Sequence, residues 1–103
     1  MAVVLCGGWS EPEEATEDTQ RICDQAKDQV QKTTGQNYQE FKAVLYREQV
    51  VEGFNFLIKV FAGEEDYLHL SLFLALDCYG GGIVLKDVEQ HKTKEDPLVI
   101  KTD

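Results

Sequence analysis

One hundred and three residues, 43% of them hydrophobic and ten of them aromatic, suffice for one small domain around a single core, with no need of a metal or disulfide. The formal charge of −9, from 19 acids against 10 bases, argues against a nucleic-acid backbone as partner, because that partner needs clustered Lys and Arg. The acidic balance selects no partner of its own; it is what a solvated surface commonly carries.

The chain opens Met1-Ala2-Val3-Val4-Leu5-Cys6-Gly7-Gly8. No basic stretch precedes the short apolar run, so it does not read as an export leader. No run is long enough to span a bilayer, so no membrane is expected as partner. The expectation is a cytoplasmic protein, with the nucleus also open to it. Cys6, Cys23 and Cys78 are an odd number, and none belongs to a C-x-x-C pair. Two readings stand: reduced thiols in the cytosol, or an intermolecular disulfide through Cys6. Gly7-Gly8 and the acidic Glu11-Pro12-Glu13-Glu14 cannot build a core element. Residues 1–14 therefore read as a flexible arm on a single domain spanning 1–103.

A helix is predicted from Thr16 to Thr34. Thr16 suits the N-cap, Glu17 and Asp18 suit the positive end of the dipole, and Gly35 is a stop signal. Ile22, Ala26 and Val30 recur at i, i+4 and i+8 and form the buried stripe, with Cys23 at its border. The stripe is narrow and its members are small, which fits a helix lying in a curved sheet.

Beyond the helix the period changes to two. Phe41, Ala43 and Leu45 alternate with Lys42, Val44 and Tyr46; Phe56, Ile58 and Val60 alternate with Leu57, Lys59 and Phe61. Leu68, Leu70, Leu72 and Leu74 alternate with His69, Ser71 and Phe73. Such strands build an antiparallel sheet. Gly63-Glu64-Glu65-Asp66 reads as a hairpin turn, and the segment from Asp77 to Gly82 as a glycine-rich loop. A last internal strand is predicted from Ile83 to about Val88. His91 to Asp96 reads as a polar turn before Leu98-Val99-Ile100, which is set to pair at an edge. One helix and a four-strand meander make an α+β fold.

The hairpin Gln49-Val50-Val51-Glu52-Gly53 matches the cystatin motif Q-V-V-A-G at four of five positions. Phe54-Asn55-Phe56-Leu57-Ile58-Lys59-Val60 is similar to the T-N-Y-x-I-K-V strand that follows it there. Ala15-Thr16 through Gln20 and Ile22 are similar to the start of the stefin helix, and Phe41-Lys42-Ala43-Val44 to the next strand. Asp66-Tyr67-Leu68-His69-Leu70 resembles a family strand that ends in His-Leu. The chain thus resembles a cystatin over nearly its whole length, of the stefin (type 1) group, intracellular inhibitors of papain-like cysteine proteases.

That resemblance implies a curved antiparallel sheet wrapped around one long helix. It implies a wedge at one end of the sheet, made of Leu5, Cys6 and Gly7 in the arm, the hairpin from Gln49 to Gly53, and Leu76, Asp77 and Cys78 in a second loop. The wedge would occlude the cleft of a cathepsin-type protease with no catalytic residue, cofactor or metal of its own. A monomer is implied, with a domain-swapped dimer through the strained Val50-Val51 hairpin as its companion form.

Several residues admit a second reading. On pattern alone, Val50-Val51 fits an interior strand beside a bulge as well as a contact tip. Glu52 stands where the family has Ala; it either meets the protease wall or points sideways to water. Asp77 replaces a proline of the family's second loop, and Trp9 does not match the second-loop tryptophan of secreted cystatins. A non-inhibitory binding or assembly module on the same scaffold is the rival function. His69 reads as a partly exposed residue on a polar strand face. No ligand spacing joins it to His91 and Cys78 as a metal site, and no orienting third group makes an enzyme of the chain.

Overall fold

The structure is a computed structural model and describes residues 8–75 and 82–100. One helix, α1 (Glu17–Thr34), packs on a five-stranded antiparallel sheet, β1 (Glu13–Glu14), β2 (Lys42–Val51), β3 (Gly53–Phe61), β4 (Tyr67–Ala75) and β5 (Ile83–Lys92), in sequence order. The α+β layout expected from the two periodicities is the one found.

The helix begins and ends where its caps put it. Thr16 Oγ1 accepts from the Thr19 amide at 3.2 Å, and Thr19 Oγ1 accepts from the Thr16 amide at 3.2 Å, a reciprocal capping box. At the other end Gly35 takes φ 76° and donates its N–H to the Gln31 carbonyl. The buried row is Thr19, Cys23, Ala26 and Val30, while Ile22 lies at its edge. The expected stripe had the phase slightly wrong: Cys23 is central. Three members of the row are Thr, Cys and Ala, so the helix axis can lie close to the sheet. Burial, aided by Asp24, pushes the Cys23 thiol up to about 12, so it is a small apolar filler with no thiolate chemistry.

The strands present Ile58, Val60, Leu68, Leu70 and Leu72 to the helix, each at most 1% exposed. Their alternation partners turn to the outer face. Register slips between Ala43 and Leu45, where the Val44 carbonyl instead accepts from the Ala15 amide at 2.9 Å. That bond joins the start of the helix to the sheet.

Four expectations need correction. The arm is not free through residue 14: Glu13 and Glu14 pair with Tyr46 and Leu45, and Trp9 forms a bridge with Gln49. The last strand runs on to Lys92, its ladder interrupted by shifts between Tyr67 and His69 and between Ser71 and Leu72. Leu98-Val99-Ile100 does not pair at an edge; no strand forms there, and Leu98 is buried with its carbonyl accepting from Arg47. His69 is not partly exposed but 6% exposed.

The segment after β5 is held to the outer face of the sheet by Lys59. Its ammonium donates to the carbonyls of Thr93, Lys94 and Asp96 at 2.9, 2.6 and 2.6 Å, which uses all three of its protons. Lys59 itself is 1% exposed. Leu57 and Leu98 are buried outside the helix-side core. The outer face therefore carries a second, smaller packed layer.

Candidate functional site

The hairpin between β2 and β3 is tight. Gln49 pairs with Asn55, Val50 with Phe54, and Val51 with Gly53, leaving Glu52 alone at the turn. Val50 is 47% exposed and Glu52 is exposed, whereas Gly53 is buried. The interior-strand reading of Val50 is thus excluded by its position at the end of the sheet. In the free chain Glu52 points to water.

Gly53 takes φ 127°, a conformation side chains with a Cβ resist. A Cβ there would also lie 2.6 Å from the Leu74 carbonyl oxygen and 2.9 Å from Phe73 Cζ. The glycine thus lets the hairpin turn and lets β4 pass close behind it. Phe54 stacks on Phe56 at 6.1 Å, and Tyr46 meets Phe56 at 6.5 Å, which seats the tip on the helix-side core.

Gln49 lies on the outer face, where its side-chain carbonyl accepts from Asn55 Nδ2 at 2.7 Å. It ties the two strands just below the tip. The Trp9 bridge to Gln49 brings the arm to the same place. The end of β4 is there too, because Ala75 pairs with Gly53 and its amide donates to the Gly82 carbonyl at 3.2 Å. The described residues that flank both other candidate segments, Trp9 on one side and Ala75 and Gly82 on the other, thus meet the hairpin at one end of the sheet. Leu5, Cys6, Gly7, Leu76, Asp77 and Cys78 themselves lie outside the described residues.

Three contributors went unread in the sequence. Ser10 donates its amide to the Glu48 carbonyl at 2.8 Å, and its Oγ accepts from the Glu48 amide at 2.9 Å. Arg47 donates from Nε to the Ser10 carbonyl at 2.9 Å. Asn55 holds Gln49 as described. The available signal was period two: Arg47 and Gln49 share a face, and that face is the one the arm reaches.

Among the described residues no group of His, Cys, Asp or Glu is arranged to hold a metal ion. No helix among them is long and apolar enough to cross a membrane. Among its described residues the site offers the exposed Val50 and Glu52 at the end of a hairpin packed on the core through Phe54 and Phe56.

A helix on an antiparallel sheet with the Gln49 to Gly53 hairpin at its end defines the cystatin class. The cystatin domain model matches residues 7–97, and the chain belongs to the cystatin family. Its relatives place it in the stefin group. It is 38% identical over 95 residues to cystatin-B of Oplegnathus fasciatus, covering 92% of this chain and 95% of that one. It is 37% identical to cystatin-B of Homo sapiens, covering 92% and 97%. It is 38% identical to leukocyte cysteine proteinase inhibitor 1 of Sus scrofa, covering 92% of each. The last name is that of an inhibitor and not of an enzyme.

Proposed function

We propose that this protein is a reversible, tight-binding inhibitor of papain-like cysteine proteases of the cathepsin type. The wedge of this reading is the arm at Leu5, Cys6 and Gly7, the hairpin from Gln49 to Gly53, and the loop at Leu76, Asp77 and Cys78. The observation that carries it is Val50, an apolar side chain 47% exposed at the tip of a hairpin that Gly53 and Phe54 anchor. Its place at the end of the sheet, within five residues that match the cystatin motif at four, distinguishes it from Val84 and Val99, which are also exposed.

Inhibition on this reading is occlusion. The hairpin fills the cleft without laying a peptide bond across the catalytic thiol. Its affinity comes from apolar burial, at roughly 25 cal/mol per Å² before association costs. Because the hairpin is pre-formed, little ordering entropy is lost on docking. The protein acts as a monomer in the cytoplasm, with the nucleus open to it. Exchange of strands about the hairpin gives its dimer, which size exclusion after partial heat unfolding would detect.

Glu52 favours the rival reading of a non-inhibitory module, since it sets a charge at the tip. Titration of papain decides between the two. Stoichiometric loss of activity supports the inhibitor; full activity at micromolar concentrations of this protein supports the module.

A further inference from the structure

The guanidinium of Arg47 lies between two segments far apart in the chain. Its Nε donates to the Ser10 carbonyl at 2.9 Å and its Nη1 to the Leu98 carbonyl at 2.9 Å. Ser10 is held at two further points by the Glu48 amide and carbonyl, and Trp9 by its bridge to Gln49. The arm is therefore fastened at Trp9 and Ser10, beside the strand residues that lead directly into the hairpin. Beyond that fastening only Gly8 separates Trp9 from the Leu5-Cys6-Gly7 segment in the sequence.

We propose that Arg47 is a positioning residue for inhibition: it fixes the point at which the N-terminal arm leaves the sheet and couples that point to the C-terminal segment. The proposal rests on the inhibitor reading, because it gives the arm a partner to reach. A contact segment tethered close to its target explores a small volume, so its effective concentration at the cleft is high. Loss of the tether leaves the same contacts but raises the entropy lost in making them. A planar guanidinium can serve two carbonyls in different directions at once. A lysine in its place would have to reach both carbonyls from one nitrogen, whereas Arg47 reaches them from two, Nε and Nη1.

The test is a cycle of four full or shortened chains assayed against papain: the parent, Arg47→Met, the chain lacking residues 1–8, and the two changes together. Arg47→Met is expected to weaken inhibition of papain by the full chain about tenfold, chiefly through faster dissociation. In the shortened chain the same substitution should change inhibition less than twofold. Arg47→Lys should recover only part of the loss. The Ser10 amide of the free protein should exchange faster in Arg47→Met. Equal losses with and without residues 1–8 would overturn the proposal, because they would mark ordinary destabilisation. So would unchanged inhibition in the full Arg47→Met chain. If removal of residues 1–8 from the parent leaves inhibition untouched, the arm's part in the inhibitor reading fails, and the proposal fails with it. Should Arg47→Met not fold, Arg47→Gln takes its place in the cycle.

Discussion

Lys59 and His69 face each other across β3 and β4, both almost wholly buried on the outer side of the sheet. Burial, and then the charges of Lys59 and Lys92, push His69 down to about 4, against smaller opposite effects of Glu89 and Asp96. Among the described residues its Nε2 has no hydrogen-bond partner, and its Nδ1 is 3.9 Å from Glu89. The imidazole is thus kept neutral beside an ammonium that the carbonyls of the following turn hold in place.

Stability should therefore fall in mild acid. The unfolded chain takes up the histidine proton near 6.5, but the folded chain only near about 4. Between these values the unfolded state binds more protons, so stability drops as pH falls through this window and levels off below it. The loss is up to about 3 kcal/mol. Urea titrations at pH 7 and pH 4 check it: His69→Leu should remove most of the difference.

Lys59→Met should detach the segment after β5. Three carbonyls lose their donor, and the cost is about 2–4 kcal/mol by thermal denaturation. The same substitution removes a cation facing His69. An NMR titration should then show the imidazole protonating at higher pH than in the parent, because loss of the facing cation and added exposure to water both raise it.

Gly53→Ala should cost about 2–3 kcal/mol, because φ 127° and the 2.6 Å approach of the Leu74 carbonyl both oppose a Cβ. Larger side chains at this position damage the end of the β3–β4 ladder as well as the tip. A change at Gly53 is therefore a poor probe of binding alone. Urea denaturation of Gly53→Ala, with stability equal to the parent, would contradict the packing described here.

Val50 is the better probe. Val50→Asp leaves the core untouched, so unfolding should shift by no more than about 0.5 kcal/mol. Burial of a valine is worth about 1.5–3 kcal/mol, so inhibition of papain should weaken roughly 10- to 100-fold. Undiminished inhibition by this variant would remove the hairpin from the wedge.

Glu52→Ala should leave stability unchanged, since Glu52 is exposed in the free protein. Its inhibition constants report where the carboxylate goes in the complex. Tighter inhibition means that the parent buries the charge against an apolar wall; equal inhibition means that it stays in water.

The parts under short-range control were legible in the chain. Thr16 and Gly35 bound the helix because caps act within one turn. Alternation over Phe56 to Val60 and Leu68 to Leu74 marked two strands because a pleat sorts neighbours to opposite faces. The five residues from Gln49 to Gly53 marked the hairpin. Long-range packing set the rest. Alternation places Lys59 and His69 on an outer face, but it does not foretell the return of Thr93 to Asp96 across that face, whose carbonyls take the Lys59 ammonium. Nothing local to Ser10 foretells its bonds to Arg47 and Glu48, since they depend on where the arm meets β2. The phase of the helix, with Cys23 at the centre and Ile22 at the edge, was set by the sheet it lies on. In each case the contact is with a segment far away in the chain, and a residue's own neighbours carry no record of that.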